Sequence, residues 1–223
     1  MKYGLPIIML CILIPPLLLA QADSTATDQK TQQIFLSGGY SFPYLPQEFK
    51  DNFKSGSNFG AGYGYQYAAG DVGYSKLYLT VEYNLYKFNE QGFLNRVAQT
   101  SDSSIVQNNP GFTAYQHPTK IFTATVNYQG TFTGLSKYIS PFFTLGIGYL
   151  YIAVPALVTT PSSSLNSDAW QRSAVTWSAG VGLDAPITES VGVFVQGRMF
   201  LGLGFPDETR QYFPVTLGVH YTP

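Results

Sequence analysis

The chain has 223 residues and a formal net charge of -1, length enough for one all-β domain of ordinary size. Charged residues make up only 11% and aromatic residues 16%, with 22 glycines, whereas soluble domains carry about 25% charge. Such a surface does not mainly face water, and without a basic patch or run it offers nothing to nucleic acid.

The chain opens "MKYGLPIIMLCILIPPLLLAQA", with Lys2, an apolar run from Leu5 to Leu19, and then Ala20-Gln21-Ala22. That order of charge, apolar stretch and small-residue site is the pattern of a cleaved secretory signal peptide over residues 1–22. A membrane anchor is the rival reading. Its uncharged run is about 15 residues long, short of the ~20 a helical span needs, and Pro15-Pro16 interrupts it. The single cysteine, Cys11, lies in this segment, so the mature chain from Asp23 has no thiol chemistry. No later apolar run reaches about 18 residues, so any membrane would be crossed by strands.

Eight segments show the period-two alternation of half-buried strands: Gln33–Ser41, Asn58–Ala68, Leu77–Phe88, Thr119–Phe132, Ser140–Ile152, Ala174–Asp184, Ser190–Leu201 and Gln211–Thr222. In the second, Phe59, Ala61, Tyr63, Tyr65 and Tyr67 alternate with Gly60, Gly62, Gly64 and Gln66. In the seventh, Val191, Val193, Val195 and Met199 oppose Gln196 and Arg198, with Gly197 breaking the oily row. The one helical hint is "PQEFKDNF", where Phe49 and Phe53 stand four apart. That loop either folds back over a barrel mouth or meets a partner. Pro214 removes a ladder donor from the last strand and is expected at the outer rim, where pairing can end.

The connections run roughly 16, 8, 30, 7, 21, 5 and 9 residues. Long and short ones alternate, as in transmembrane barrels with short periplasmic turns and longer external loops. The long ones, rich in Ser, Thr, Asn, Gln and Pro, read as water-exposed loops. Among charged residues only Glu82 and Arg198 fall well inside the predicted strands, both opposite the oily face. A basic residue on a lipid face near mid-membrane costs about 2–4 kcal/mol, which would select for that placement. Outward aromatics gather toward strand ends: Tyr65, Tyr67, Tyr128 and Tyr221 at one interface, and Tyr40, Phe59, Phe122, Tyr151, Trp177 and Phe213 at the other.

"IFLSGGYSFP" followed by "GSNFGAGYGYQY" is similar to the opening hairpin of the small outer-membrane β-barrels, the eight-stranded porin-like family that includes the membrane domain of outer membrane protein A. The ending "TLGVHY" resembles that family's C-terminal assembly signal at Thr216, Gly218, Val219 and Tyr221, although Thr222 and Pro223 follow where many members end on the aromatic residue. The resemblance implies an all-β, eight-stranded antiparallel transmembrane barrel of up-and-down meander order. It also implies residence in the outer membrane of a Gram-negative-type bacterium. The expected organisation is a signal peptide (1–22), a short periplasmic leader (23–32) and the barrel (33–223). Outer-membrane lipid and the barrel-assembly machinery are the implied partners; any extracellular ligand is unknown.

An eight-stranded barrel leaves an interior that side chains fill. Its expected polar lining is Glu82, Asn84, Asn127, Gln129, Gln196 and Arg198, with Asp184 and His220. Glu82 and Arg198 lie on strands that face each other across the closure, and they are expected to pair, since either charge alone in a dry lumen is costly. Stabilising the interior stands ahead of gating or conduction as their role. Inner glycines either leave space or let opposite side chains pack inward. A structural or surface-interaction protein is therefore expected, with a narrow pore or carrier as the alternative and a lipid-modifying enzyme behind it. Catalysis would need a nucleophile and base at the rim. The two histidines offer little: His220 has no serine near it in sequence, and His117 is some 15 residues from Asp102 and the serines Ser101, Ser103 and Ser104. Asp207-Glu208 reads as a solvated hairpin tip. No metal or other cofactor is expected.

Overall fold

The computed structural model describes residues 31–67, 73–99, 111–133, 138–161, 164–203 and 209–223. The signal peptide, most of the leader, the Asp102 serine cluster and the Asp207-Glu208 tip lie outside them, as does the side chain of Tyr67. In chain order the elements are β1 (Thr31–Leu45), α1 (Gln47–Asn52), β2 (Gly56–Tyr67), β3 (Gly73–Tyr86), α2 (Glu90–Val97), β4 (Thr113–Gln116) and β5 (Thr119–Phe132). Then follow β6 (Ser140–Val154), β7 (Leu157–Thr160), β8 (Trp170–Pro186), β9 (Val191–Leu203) and β10 (Arg210–Tyr221).

Eight strands close into an antiparallel barrel in the order β1-β10-β9-β8-β6-β5-β3-β2. These are the eight predicted segments, most of them longer than the alternation suggests. Following the pairings round from Ser75 through Gly130, Phe143, Val181, Gly197, Val215, Tyr40 and Ser57 ends on Leu85, ten residues further along β3. That stagger is the tilt a small barrel needs to close.

The oily rows point outward all the way round. Leu36 is 59% exposed, Val126 50%, Val181 68% and Leu217 66%, each on a different strand. In water such a girdle would be a continuous aggregation surface; in a bilayer it is the required exterior. Even the gap at Gly197 is covered, because a Cβ there would stand 2.9 Å from the Phe213 ring of β10. The chain is a transmembrane β-barrel.

The structure revises three expectations. Pairing does not end at Pro214. The β9–β10 ladder skips Phe213 and Pro214, then resumes from Tyr212 opposite Phe200 to Arg210 opposite Gly202. The long connections are not plain exposed loops. The first forms α1, the second long one forms α2 and β4, and the third carries β7, which pairs with β4 in a separate two-stranded sheet. Strand interiors also hold more charge than Glu82 and Arg198: β3 begins at Gly73, so Lys76 lies inside it and is buried.

Candidate functional site: the barrel interior and its cap

Inward side chains alternate with the lipid-facing rows, and they stack in tiers along the axis. At the turn end, Asp184 of β8 takes a hydrogen bond from His220 Nε2 at 2.8 Å, one from Tyr74 at 3.2 Å, and an ion pair from Lys76 Nζ at 3.4 Å. Gln33 Nε2 donates to His220 Nδ1 at 2.8 Å, so the imidazole donates through Nε2 and accepts through Nδ1. Both ring nitrogens are thus engaged.

Above this polar floor lies a tier of rings. Phe35 meets Tyr78 and Phe194 edge-on at 5.2 and 6.1 Å. The inner glycines make room for it: a Cβ on Gly62 would collide with the Phe35 ring, and one on Gly218 with the Phe194 ring. Of the two readings open for these glycines, inward packing is the one realised.

Arg198 of β9 dominates the middle tier. Its Nη1 donates to Glu82 Oε1 at 2.6 Å, while Nη2 donates to Asn127 Oδ1 at 2.7 Å and to Ser178 Oγ at 2.9 Å. Asn58 Nδ2 donates to Asn84 Oδ1 at 2.8 Å and to Glu82 Oε2 at 3.3 Å. Asn127 Nδ2 bonds Thr80 and Thr125, whose hydroxyls lie 2.7 Å apart. Gly180 is the socket, since a Cβ there would stand 2.5 Å from Arg198 Cγ. The guanidinium also lies 4.6 Å from the centroid of the Phe200 ring.

The structure therefore brings Glu82, Arg198, Asn84 and Asn127 into one network. It leaves Gln196 and Gln129 beside it, bonded to Thr144 at 3.4 Å and Thr131 at 3.0 Å respectively. Asn58, Thr80, Thr125 and Ser178 were missed. Each lies on a polar face of a predicted strand, so alternation alone would have found them. A cavity of about 40 Å³ remains beside the network, bordered by Gln33, Lys76, Gln129 and Gln196 among others.

At the loop end the interior turns apolar. Phe200 and Tyr212 stack at 4.8 Å, and Tyr86, Ile121, Leu150 and Ile152 are wholly or almost wholly buried with them. Onto this cluster α1 brings Phe49, 1% exposed, and Phe53, 8% exposed, follows as the residue that ends the helix. Phe49 packs against Tyr86 at 5.4 Å, so the loop folds back over the barrel mouth. The first turn of α1 carries Glu48 and the last turn Lys50, matching the helix dipole. Tyr86 shares a hydrogen bond with Ser41 on β1.

A second apolar cluster forms a cap beyond the mouth. Phe93 and Val97, four apart on α2, pack with Phe112, Ala114 and Leu157. Glu90 accepts from the backbone N–H of Ala114 at 2.9 Å, and Gln116 donates to the Pro155 carbonyl at 2.6 Å. Asn89 donates to the Asp51 carbonyl at 2.9 Å, tying α2 to α1. His117 bonds the Tyr115 hydroxyl at 3.1 Å within this cap.

The proposed C-terminal signal residues divide between faces. Thr216 is buried inward, Gly218 lies under Phe194, and Val219 and Tyr221 are each 50% exposed on the outside. Thr222 continues beyond them, its N–H donating to the Ser190 carbonyl at 2.8 Å.

No family model matches the chain, and no curated protein matches it. Among solved structures it is similar to Neisserial surface protein A, at 12% identity over 88% of this chain and 99% of that one, with a TM-score of 0.47. The N-terminal β-barrel domain of OprF from Pseudomonas aeruginosa gives 14% identity, 88% and 100% coverage, and a TM-score of 0.47. The attachment invasion locus protein of Yersinia pestis gives 12%, 88% and 99%, with a TM-score of 0.45. At these identities and scores the likeness decides nothing about role; the strand pairings themselves carry the fold.

Proposed function

We propose that this is an outer-membrane β-barrel protein of a Gram-negative-type bacterium, delivered by a cleaved signal peptide, that passes no solute through its lumen and acts at the cell surface through its folded cap. The observation that carries the reading is the filled interior. Phe49, Phe53, Phe200 and Tyr212 occupy the mouth, and the Arg198–Glu82 network crosses the middle. The cavity beside that network, about 40 Å³, has room for no more than a few water molecules. The outward apolar rows support lipid as the partner around the girth, and the unequal connections support a cap that faces outside. On this reading Thr216, Gly218, Val219 and Tyr221 form the signal that assembly machinery reads during insertion.

Planar-bilayer recording of the refolded mature chain tests the lumen. The native chain should be silent, and discrete openings should appear once Glu82→Ala and Arg198→Ala are combined with Phe49→Ala and Phe53→Ala. Steady native openings would replace this reading with a pore. A Tyr115→Cys variant tests the orientation: Tyr115 is 59% exposed on the cap, and a membrane-impermeant maleimide should label it on intact cells. Labelling only after lysis would place the cap on the wrong side.

A further inference from the structure

Between the mouth cluster and the cap cluster lies a cavity of about 370 Å³ that residues of both help to line. It is of the size that small-molecule sites take, about 300–1,000 Å³. Its lining draws Phe49 from α1 and Phe53 from just after it, Phe93 and Val97 from α2, Leu157 from β7, and Trp170 from the start of β8. Aromatic and branched side chains thus form the apolar half of its wall, enough to hold an apolar body, and polar groups form the other half.

The polar part is concentrated in a few groups. Arg96 and Arg210 both border the cavity, as does one carboxylate, Glu48, so the lining keeps one positive charge in excess. Arg210 has its guanidinium 5.9 Å from the Phe49 ring and 5.9 Å from the Trp170 ring. Arg96 spends Nη1 on Glu48 at 2.7 Å, while its Nε is buried without a hydrogen-bond partner. A guanidinium has five N–H donors in a fork that matches a carboxylate. Guanidiniums beside aromatic rings, in a chamber with one apolar side and one polar side, suit a molecule with an anionic head and an oily body.

We propose that this cavity binds a small carboxylate-bearing amphiphile, with its head toward Arg96 and Arg210 and its hydrocarbon among Phe49, Phe93 and Trp170. The inference rests on the cap standing in water, as proposed above, but not on a silent lumen. A conducting barrel would leave it intact, whereas failure of Tyr115→Cys labelling on cells would remove its access route without altering binding by the purified protein.

The chain has two tryptophans, and Trp177 is lipid-facing, 38% exposed. In a Trp177→Phe background Trp170 therefore reports on the cavity alone. The refolded mature chain in zwitterionic lipid nanodiscs would be titrated with decanoate, and in parallel with decanol and with acetate. Decanoate should change Trp170 emission saturably, with at least ten-fold weaker responses to the alcohol and the short acid. Arg96→Gln should weaken decanoate at least ten-fold, and Ser167→Phe, which fills the cavity, should abolish the response. If either variant unfolds, native decanoate against native decanol still decides the matter. A non-saturable response, equal binding of decanol, or indifference to Arg96→Gln in a folded protein would overturn the proposal. Given saturable binding, competition by phosphatidylglycerol in the disc would assign the carboxylate's place to an anionic lipid head group as well, and its absence would leave free amphiphiles.

Discussion

At the loop end the barrel interior is filled by rings, Phe49, Tyr86, Phe200 and Tyr212, while a few residues deeper it is filled by Arg198, Glu82, Asn127 and Asn58. The same strands supply both tiers: Phe200 and Arg198 are two apart on β9, and Tyr86 and Glu82 four apart on β3. What differs is the source of the last pieces. The polar tier is made wholly of strand residues, each held by a ladder on both sides. The ring tier needs Phe49, which arrives on a six-residue helix outside the sheet, and Phe53, which directly follows that helix. A tier built from the ladder opens only with the barrel, whereas one completed by a loop can open locally.

The largest effect should come from the polar tier. Arg198→Leu strands Glu82, 6% exposed, as a buried charge without its partner, and should cost about 3–5 kcal/mol. Adding Glu82→Gln should recover most of that loss. Urea unfolding in lipid vesicles measures both, and a double variant as unstable as the sum of the singles would show that the pair is not coupled. Phe49→Ala should be milder, about 2 kcal/mol, below the roughly 3–5 usual for a core Phe, because α1 can detach without opening the sheet. Proteolysis near α1 should rise while the barrel's own unfolding midpoint moves less; equal losses in both would erase the distinction between the tiers.

The polar tier was legible in the sequence because lipid outside and water-like groups inside impose strict alternation. "TATVNYQ" reads Thr123, Thr125, Asn127 and Gln129 inward without ambiguity. The ring tier was not, because there the two faces are equally oily. In Leu150-Tyr151-Ile152 and Met199-Phe200-Leu201 the pattern carries no sign of which side is in. Lys76 was missed for another reason: it lies just before the first clear alternation, and only a partner far away in sequence, Asp184, makes its burial tolerable. The helix α2 left a weak signal, Glu90 early, Arg96 late and Phe93–Val97 four apart, inside a connection whose composition reads as loop. Its packing against β4 and Leu157 depends on the second sheet, which two four-residue strands do not announce.

Between the polar tiers, Gly62→Ala tests whether inner glycines are sockets. The new methyl would meet the Phe35 ring, whereas at Gly38, on the outer face, a Cβ meets nothing closer than 3.8 Å. Overpacking makes the first cost on the order of 1 kcal/mol or slightly more, and the second should be near neutral. Equal effects at the two positions would mean that strand propensity, not packing, sets the glycine requirement.

The smallest effect should be in the cap. Arg96 and Glu48 meet at 2.7 Å, but their side chains are 29% and 61% exposed, so water already solvates much of both charges. Such pairs are worth about 0–1 kcal/mol and weaken as salt rises. Arg96→Ala should therefore lower the unfolding free energy by less than about 1 kcal/mol, and the loss should shrink at high salt. Buried Glu82–Arg198 should show no such salt dependence, since screening acts on exposed charges. If Arg96→Ala instead destabilised the whole barrel as much as Arg198→Leu, the cap and the sheet would be one cooperative unit. The contrast between a loop-borne tier and a ladder-borne one would then fail at its root.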